Sequence, residues 1–343
     1  MWVNITITRI VLLLISTILT VSACAPRIEA PGPDITTPHL EEHAIVTADG
    51  VRLPLRQWLP TTKPKAVILA LHGFNDYSNF FDDPGQFLAQ RYQIISYAFD
   101  QRGFGGAPTP GRWAGVQAYA DDARNAVTLL KAKHPGLPIY LLGASMGGAV
   151  ALVTLTSDHP PDVDGAILAA PAVWGRATMP WYQRLALWLG ANTVPWMTLT
   201  GEGLNIKPSD NIEMLIALGR DPLVIKKTRI GTLYGLVNLM DAGLKSAGNF
   251  NVHAFILYGQ HDEVIPEKPT AEFLKTLPSE SKPIQKTALY EGGYHMLLRD
   301  LPAATVWKDI AAWIANPSKP LPSKADQRTL SLLVNDDPRK GRE

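Results

Sequence analysis

Short apolar runs alternate with amphipathic segments over most of the chain. The runs contain β-branched residues, each is followed by a glycine, a proline or a polar residue, and they cover residues 66–71, 94–99, 139–142, 166–170 and 254–258. Segments of helical periodicity lie between them, such as 121–133 with Ala126, Leu129 and Leu130. This alternation predicts βαβ units, and therefore a mostly parallel central sheet with helices on both faces. Residues 43–47 and 53–58 flank Asp49-Gly50 and predict an opening hairpin.

One long interruption of this pattern predicts an inserted subdomain. The stretch from Ala170 to Ala254 far exceeds an ordinary connection, and residues 180–190 within it predict a helix with proline at its start and glycine after its end. We therefore expect a core of residues 41–171 and 248–316 that is interrupted by a helical cap at 172–247. A signal at 1–23 and a proline-containing tether at 24–40 precede this core, and a mobile polar tail at 317–343 follows it.

The N-terminus has the layout of an export signal. Arg9 precedes an apolar run at 10–21, which is shorter than the about 20 residues that span a bilayer. The sequence from Val21 to Cys24 resembles a bacterial lipobox, which implies cleavage before Cys24 and acyl chains such as palmitate on the mature N-terminus. The same resemblance implies the outer membrane of the bacterial cell envelope, because Ala25 rather than Asp follows the cysteine. A plain secretory signal and an uncleaved anchor remain alternatives.

The composition narrows the classes of partner. With 46% hydrophobic and 18% charged residues among 343, the chain can bury a large core. A formal net charge of +1 offers no excess for phosphates, so nucleic acid is not an expected partner. Loss of Arg9 with the signal would leave a neutral chain, so the protein would be attached to the membrane through its acyl chains rather than through charge. One cysteine permits no intrachain disulfide, and we expect no metal or cofactor.

The segment around Ser145 carries the strongest chemical signal. The strand at 139–142 runs into Gly143-Ala144-Ser145-Met146-Gly147, and a helical pattern follows. G-x-S-x-G between a strand and a helix is the pattern of a nucleophile elbow, where small residues let the two elements approach. The turn strains the serine backbone, and the helix N-terminus favours a developing oxyanion. Ser145 is the predicted nucleophile.

A serine hydroxyl requires a base and an acid that orients this base. Asp262 follows the strand at 254–258, and His295 lies further along in GGYHMLLRD, which gives the order Ser, Asp, His. The carboxyl ends of parallel strands meet at one edge of a sheet, so we expect the three side chains to converge. Glu263 is the rival for the acid, and an ordinary loop histidine is the alternative for His295.

Two further loops precede the elbow. Residues 72–74 follow the strand at 66–71, where the second oxyanion donor is expected, so we assign the oxyanion hole to the backbone N–H groups of Phe74 and Met146. His72 lies too early in the chain for the base, and a bracing hydrogen bond is the interpretation we favour. For Asp100, Arg102 and Gly103 we favour a tight turn held by side-chain hydrogen bonds over a substrate site.

Six segments together resemble monoacylglycerol lipases, lysophospholipases and related serine hydrolases of the S33-like family: LHGFNDYSNFF, FDQRGFG, GASMGG, GRDPL, LYGQHDEVIP and GGYHMLL. The resemblance spans residues 41–315. It implies the α/β-hydrolase fold with an inserted helical cap, the triad Ser145, Asp262 and His295, and the oxyanion donors Phe74 and Met146. Ala144 and Gly106 depart from the family, which often has His and Ser there.

The resemblance implies a carboxylic ester hydrolase that acts through an acyl-enzyme on a small amphipathic ester, such as a monoacylglycerol or lysophospholipid. In the cap, Trp181, Leu185 and Trp188 share one helix face. This face either packs the cap onto the core or lines an acyl-chain channel. A peptidase or amidase of the same fold, a cofactor-free haloperoxidase and a non-catalytic lipid-binding lipoprotein remain alternatives. Epoxide hydrolases and dehalogenases would have Asp at the elbow.

Overall fold

A nine-stranded sheet forms the centre of the protein. The structure, a computed structural model, describes residues 26, 28–278 and 285–330. The sheet order is β1-β2-β3-β5-β4-β6-β7-β10-β11, and β8 and β9 form a separate pair. The strands are β1 (His39–Leu40), β2 (Ala44–Val46), β3 (Arg52–Trp58), β4 (Ala66–Leu71), β5 (Ile94–Phe99), β6 (Ile139–Ala144), β7 (Gly165–Ala169), β8 (Thr198–Leu199), β9 (Thr228–Arg229), β10 (Ala254–Gly259) and β11 (Gln285–Tyr290).

Strand direction divides the sheet into two parts. β1 to β3 pair antiparallel, and β3 joins β5 antiparallel. From β5 to β11 every neighbouring pair is parallel. The predicted buried strands and the opening hairpin are therefore confirmed, each within a few residues of its expected bounds.

Helices cover both faces of the sheet. They are α1 (Asp82–Tyr92), α2 (Val116–Lys133), α3 (Met146–Leu155), α4 (Trp181–Thr193), α5 (Ile212–Arg220), α6 (Ile230–Ser246), α7 (Glu267–Thr276) and α8 (Ala303–Ala315). Val67 and Leu69 of β4 pack in one core cluster with α2, α3 and α6, whereas Ile68 packs in a second cluster with α1 and α8. Successive side chains of a strand point to opposite faces, so one apolar strand supplies both clusters.

Helix α2 begins five residues before the position that the periodicity predicts. We expected its start at Asp121, but it begins at Val116 after Gly115, which has a φ of 101° and gives no side-chain cap. Without a Ser, Thr, Asp or Asn cap, the sequence carries no start signal at this end.

The segment predicted as an extended tether, 24–40, is hydrogen-bonded to the core over much of its described part. The Glu29 N–H donates to the Trp113 carbonyl at 2.7 Å, the Gly32 N–H to Asp49 Oδ2 at 3.1 Å and the Ile35 N–H to the Ala48 carbonyl at 2.8 Å. Its last residues form β1, so the sheet begins before Glu41. Prolines remove donors, but the N–H groups between them stay available for these bonds.

The prediction of a mobile tail from residue 317 is wrong for 317–330. Leu321, Ala325 and Leu330 are buried, and a 3₁₀ turn spans Ala325–Gln327. The Ser323 N–H donates to Asp309 on α8 at 3.1 Å. A few widely spaced apolar side chains anchor this polar stretch, which average composition does not reveal. The rest of the predicted tail lies outside the described residues.

The inserted stretch between β7 and β10 has two unlike parts. Helices α4 and α5 and the β8–β9 pair bear most of its exposed apolar side chains. Helix α6 instead packs on α3, where a Cβ added at Gly243 would lie 3.3 Å from the Cβ of Ala149. The last cap helix is therefore continuous with the core beneath the candidate nucleophile.

Candidate active site

Ser145 occupies the turn between β6 and α3. Its backbone has a φ of 51° and a ψ of −115°, a combination that is strained for a residue with a side chain. A Cβ added at Gly143 would lie 2.3 Å from the Gly147 carbonyl oxygen, and one added at Gly147 would lie 2.0 Å from that of Leu71. Both glycines are therefore required by close backbone approach, as the elbow pattern predicts.

The three residues predicted as a triad form one hydrogen-bonded chain. His295 Nε2 lies 2.9 Å from Ser145 Oγ, and His295 Nδ1 lies 2.8 Å from Asp262 Oδ2. Ser145 follows β6, Asp262 follows β10, and His295 follows β11 by a short loop, so all three stand at the same edge of the parallel strands. The Ser145 hydroxyl donates to Nε2 when the ring carries its proton on Nδ1, which the carboxylate accepts.

The structure brings Asp262, and not Glu263, to the histidine. Asp262 is 7% exposed, and its Oδ1 accepts from the N–H groups of Val264 at 2.9 Å and Ile265 at 2.8 Å. Oδ2 is left for His295. The exposed Glu263 accepts from the Lys207 N–H at 2.8 Å instead. The carboxylate of Asp262 is thus fixed by backbone donors in the orientation that the ring requires.

The two expected oxyanion donors lie beside Ser145. Met146 is the first residue of α3, so its N–H has no acceptor within the helix. A Cβ added at Gly73 would lie 3.4 Å from the Cβ of Ser145, which puts the loop that contains Phe74 against the nucleophile. Among the residues that the structure describes, neither the Phe74 N–H nor the Met146 N–H has a hydrogen-bond acceptor. Both donors are available to a reacting carbonyl oxygen.

His72 braces this loop. The ring is fully buried, its Nε2 accepts from the Gln101 N–H at 2.9 Å, and its Nδ1 lies 2.8 Å from the Gly73 carbonyl. These partners define a neutral ring with the proton on Nδ1. Burial lowers the pKa of His72 from 6.5, and the Gly73 carbonyl opposes this shift only in part. The bracing interpretation of His72 is confirmed by these hydrogen bonds.

The loop after β5 is held by charged side chains, as the tight-turn interpretation predicts. Asp100 accepts from the N–H groups of Ser78 at 2.9 Å and Gly106 at 2.8 Å. Arg102 pairs with Asp49 and Asp122, each through two hydrogen bonds of 2.7–3.1 Å. Burial raises the pKa of Asp122 to about 6, although Arg102 opposes this shift. These groups satisfy one another and form a structural network.

The apolar face of α4 does not pack on the core. Trp181, Leu185 and Trp188 are 72%, 47% and 53% exposed, whereas Ala191 near the end of the helix is buried. The packing interpretation of this face is therefore wrong. Helix α4 also continues past Gly190 to Thr193, because that glycine serves close contact with Ile230 of α6 rather than termination.

Hydrogen bonds join the cap to the loop after β4 that contains Phe74, which we call the oxyanion loop. The sequence analysis did not anticipate these bonds. Asn75, with a φ of 64°, donates through Nδ2 to Thr228 Oγ1 at 2.6 Å and accepts through its carbonyl from the Ile225 N–H at 2.9 Å. The Tyr77 hydroxyl donates to Asp221 at 2.7 Å. The partners lie more than 140 positions apart in the sequence, so no local pattern could have indicated these bonds.

Within the described ranges, no group of His, Cys, Asp and Glu side chains could hold a metal ion. No helix within these described ranges is long and apolar enough to cross a membrane. Cys24 and the predicted signal lie outside the described residues.

The sheet order, the elbow and the Ser–His–Asp chain together define an α/β-hydrolase fold with a serine-centred site. The family model described as serine aminopeptidase, S33, matches residues 62–302. The chain belongs to this family.

Several similar proteins are named as lipases. The chain is 27% identical to human monoglyceride lipase over 286 residues, which cover 81% of this chain and 91% of that protein. It is 25% identical to the monoacylglycerol lipase of Mycolicibacterium smegmatis over 283 residues, which cover 80% and 97%. The crystal structure of a soluble variant of monoglyceride lipase from Saccharomyces cerevisiae, in complex with a substrate analog, matches with a TM-score of 0.63 at 21% identity and covers 84% of this chain and 97% of that chain. This last likeness shows the shared fold.

Proposed function

We propose that the protein is a carboxylic ester hydrolase in which Ser145 is the nucleophile, His295 the general base and Asp262 the residue that orients the base. The observation that carries this proposal is the hydrogen-bonded chain from Ser145 Oγ through the His295 ring to the buried Asp262. Each member has the partner that its role requires.

The reaction follows from these contacts in two steps. Ser145 Oγ attacks the ester carbonyl carbon while His295 Nε2 takes the hydroxyl proton, and the N–H groups of Phe74 and Met146 stabilise the oxyanion. When the C–O bond breaks, Nε2–H protonates the departing alcohol and leaves an acyl-enzyme. Water, deprotonated by Nε2, then attacks the acyl carbon, the bond from this carbon to Ser145 Oγ breaks, and Nε2–H returns its proton to Oγ as the carboxylic acid leaves. Asp262 stabilises the imidazolium in both steps and keeps its own charge.

The substrate that we propose is a monoacylglycerol or a similar amphipathic ester. The named lipase relatives support this class, and so do the exposed Trp181, Leu185 and Trp188, which we propose contact the acyl chain. Apolar side chains that remain exposed in a monomer commonly mark a surface for an apolar ligand. The lysophospholipid alternative shares this acyl chain and differs in the head group.

A substrate screen with a nucleophile variant tests the proposal. Purified protein should hydrolyse p-nitrophenyl esters and monoacylglycerols of graded chain length faster than an aminoacyl amide, and Ser145→Ala should abolish this activity while the melting temperature stays near that of the wild type. A fluorophosphonate probe should label the wild type and not the variant. Activity that persists in Ser145→Ala, or faster cleavage of the amide, would reject the ester hydrolase assignment.

Truncation of the apolar face tests the acyl contact separately. Trp181→Ala and Trp188→Ala should raise KM for long-chain esters and leave short-chain esters unchanged. Leu59→Ala is the control, because Leu59 is 54% exposed, close to the 53% of Trp188, but directly follows β3 of the core. An equal effect of all three variants would show that general surface hydrophobicity, and not this face, determines KM.

For localisation we propose a lipid anchor at Cys24 in the outer membrane of a bacterial envelope. The lipobox-like sequence from Val21 to Cys24 and the following Ala25 support it. The intact mass of detergent-extracted protein should correspond to a chain that begins at acylated Cys24, and Cys24→Ser should release the protein from membranes. An unmodified Cys24 or a retained signal would refute the anchor.

A further inference from the structure

The cap segment 207–211 lies against the loops that carry Asp262 and His295. The Pro208 carbonyl accepts from the Met296 N–H at 2.9 Å, and Ser209 Oγ donates to Asp300 Oδ1 at 2.6 Å. Further bonds join Lys207 N–H to Glu263 at 2.8 Å, Asn211 Nδ2 to the Arg299 carbonyl at 3.0 Å and Leu301 N–H to Asp210 at 2.8 Å. The insertion thus directly contacts the loop between β11 and α8 that carries His295, which we call the histidine loop.

Asp300 connects this segment to the backbone beside His295. Its carboxyl group is buried, and its second oxygen, Oδ2, accepts from the Tyr294 N–H at 2.8 Å. The Asp300 N–H donates to the Met296 carbonyl at 3.0 Å and closes the turn. Tyr294 and Met296 are the two chain neighbours of His295, so one is held by Asp300 and the other by Pro208 of the cap.

Because Ser209 and Asp300 are both buried, loss of the hydrogen bond between them would have a structural cost. Ser209 is 0% exposed and Asp300 is 4% exposed, so neither can replace a lost partner with bulk water. Burial raises the pKa of Asp300, and the hydrogen bonds from Ser209 and Tyr294 oppose this shift. A carboxyl group that loses one of two donors in such a site must move toward another donor or pay a desolvation cost. Either response would shift the turn that holds His295.

We propose that Asp300 is a positioning residue for His295 and that Ser209 of the cap holds Asp300 in place. The inference rests on the proposed function in that His295 is taken as the base. Seating of the cap on the histidine loop then fixes the imidazole relative to Ser145. Proton transfer requires heavy atoms about 2.6–3.2 Å apart, and a small displacement costs much of the rate.

Removal of the Ser209 hydroxyl tests this inference. In Ser209→Ala we expect kcat to fall on the order of 10-fold with KM nearly unchanged, because geometry at the base is lost and not ground-state binding. The low-field proton resonance of His295 Nδ1–H, which reports its hydrogen bond to Asp262, should broaden or shift. A bond that only fastened the cap would change stability or KM and leave this resonance in place.

Ser323→Ala is a matched control. Ser323 also donates through Oγ to a fully buried carboxylate, that of Asp309, whose other side-chain partner is Tyr290. Neither carboxylate oxygen of Asp309 bonds to residues 293–301 in the described chain. Ser323→Ala should therefore lower stability and keep kcat and the His295 resonance. If Ser209→Ala matches Ser323→Ala in both readouts, the inference is wrong.

Substitution of Asp300 separates geometry from charge. In Asp300→Asn the amide oxygen can accept from the Tyr294 N–H while the amide NH₂ donates to Ser209 Oγ, so most of kcat should remain. Asp300→Ala loses both bonds and should reduce kcat at least as much as Ser209→Ala, with no further loss in the double variant. If Asp300→Asn lost as much kcat as Asp300→Ala, the positioning role would be contradicted, since the charge of Asp300 would then be the important property.

Two readouts distinguish the failure of this inference from the failure of the proposed function. If a fluorophosphonate probe does not label the wild type, the hydrolase assignment fails. The His295 resonance is measured without substrate, so its comparison between Ser209→Ala and Ser323→Ala still decides the inference. An unchanged resonance in folded Ser209→Ala overturns it.

Discussion

Asp262→Asn should disable the base by selecting the wrong tautomer of His295. Asp262 Oδ1 accepts from two backbone N–H groups, those of Val264 and Ile265. In the variant, the amide oxygen must take the Oδ1 position, because an NH₂ group there would face two donors. The NH₂ group is then directed at His295 Nδ1, which lies 2.8 Å from Oδ2 in the wild type. The ring must accept at Nδ1 and carry its proton on Nε2, so Nε2 cannot take the Ser145 proton.

The magnitude follows from this forced orientation. The same Asp-to-Asn change in a serine protease lowers kcat by about 10⁴-fold, and that factor corresponds to about 5.4 kcal/mol of transition-state stabilisation. We expect a loss of this order here, because the two backbone donors leave the amide no alternative orientation. KM should change little, since the shape of the site is kept. The assay is steady-state hydrolysis of a soluble p-nitrophenyl ester by purified wild type and variant at one pH.

Glu263→Gln provides the internal comparison. Glu263 is exposed and accepts a single N–H bond from Lys207, which a glutamine oxygen can also accept. This variant should keep nearly all of the activity. The reasoning is refuted if Glu263→Gln is crippled and Asp262→Asn is nearly silent. An Asp262→Asn enzyme that keeps most of its kcat would likewise show that the backbone donors do not fix the amide.

Two further predictions concern stability. Burial lowers the pKa of His72 from 6.5 in the folded protein, so below pH 6.5 the unfolded chain binds a proton that the folded chain does not, and stability falls as the pH drops from there toward the folded-state pKa. Urea unfolding at about pH 7.5 and 5.5 should show this loss, His72→Asn should reduce it, and an equal pH dependence in both proteins would contradict the assignment. Gly147→Ala should destabilise the protein by more than about 2 kcal/mol, since its Cβ would lie 2.0 Å from the Leu71 carbonyl oxygen. Gly219→Ala in α5 has no atom within 4 Å of its Cβ and should be neutral or stabilising in thermal unfolding, so similar melting temperatures of the two variants would argue against the close approach at the elbow.

Much of the core could be predicted because each apolar strand is buried on both faces. Residues 66–71 are apolar without interruption, and all six are buried in β4. The elbow was equally predictable, because both glycines that its close backbone contacts require, Gly143 and Gly147, lie two residues from Ser145 in the chain. Where the residues that a feature requires lie close together in the chain, the sequence shows them as a local pattern.

Asp262 was the predicted acid, but periodicity alone could not exclude its neighbour Glu263. Asp262 and Glu263 are adjacent and both acidic, and the end of β10 is uncertain by a residue in any periodicity argument. What separates them is the turn after the strand, in which the N–H groups of Val264 and Ile265 hold Asp262, whereas Glu263 accepts from the Lys207 N–H. The choice depends on backbone direction in a loop, which side-chain periodicity does not encode.

The packing of the cap could not be predicted from the sequence for a different reason. Periodicity correctly placed Trp181, Leu185 and Trp188 on one face of a helix, but an amphipathic pattern does not say what covers the face. The structure leaves it exposed and packs α4 through Gly190 and Ala191 instead. The bonds that fasten the cap, such as Ser209 to Asp300 across 91 positions, join single polar residues with no periodicity. An inserted segment is therefore recognisable by its length, while its attachment to the base and to the oxyanion loop requires the three-dimensional structure.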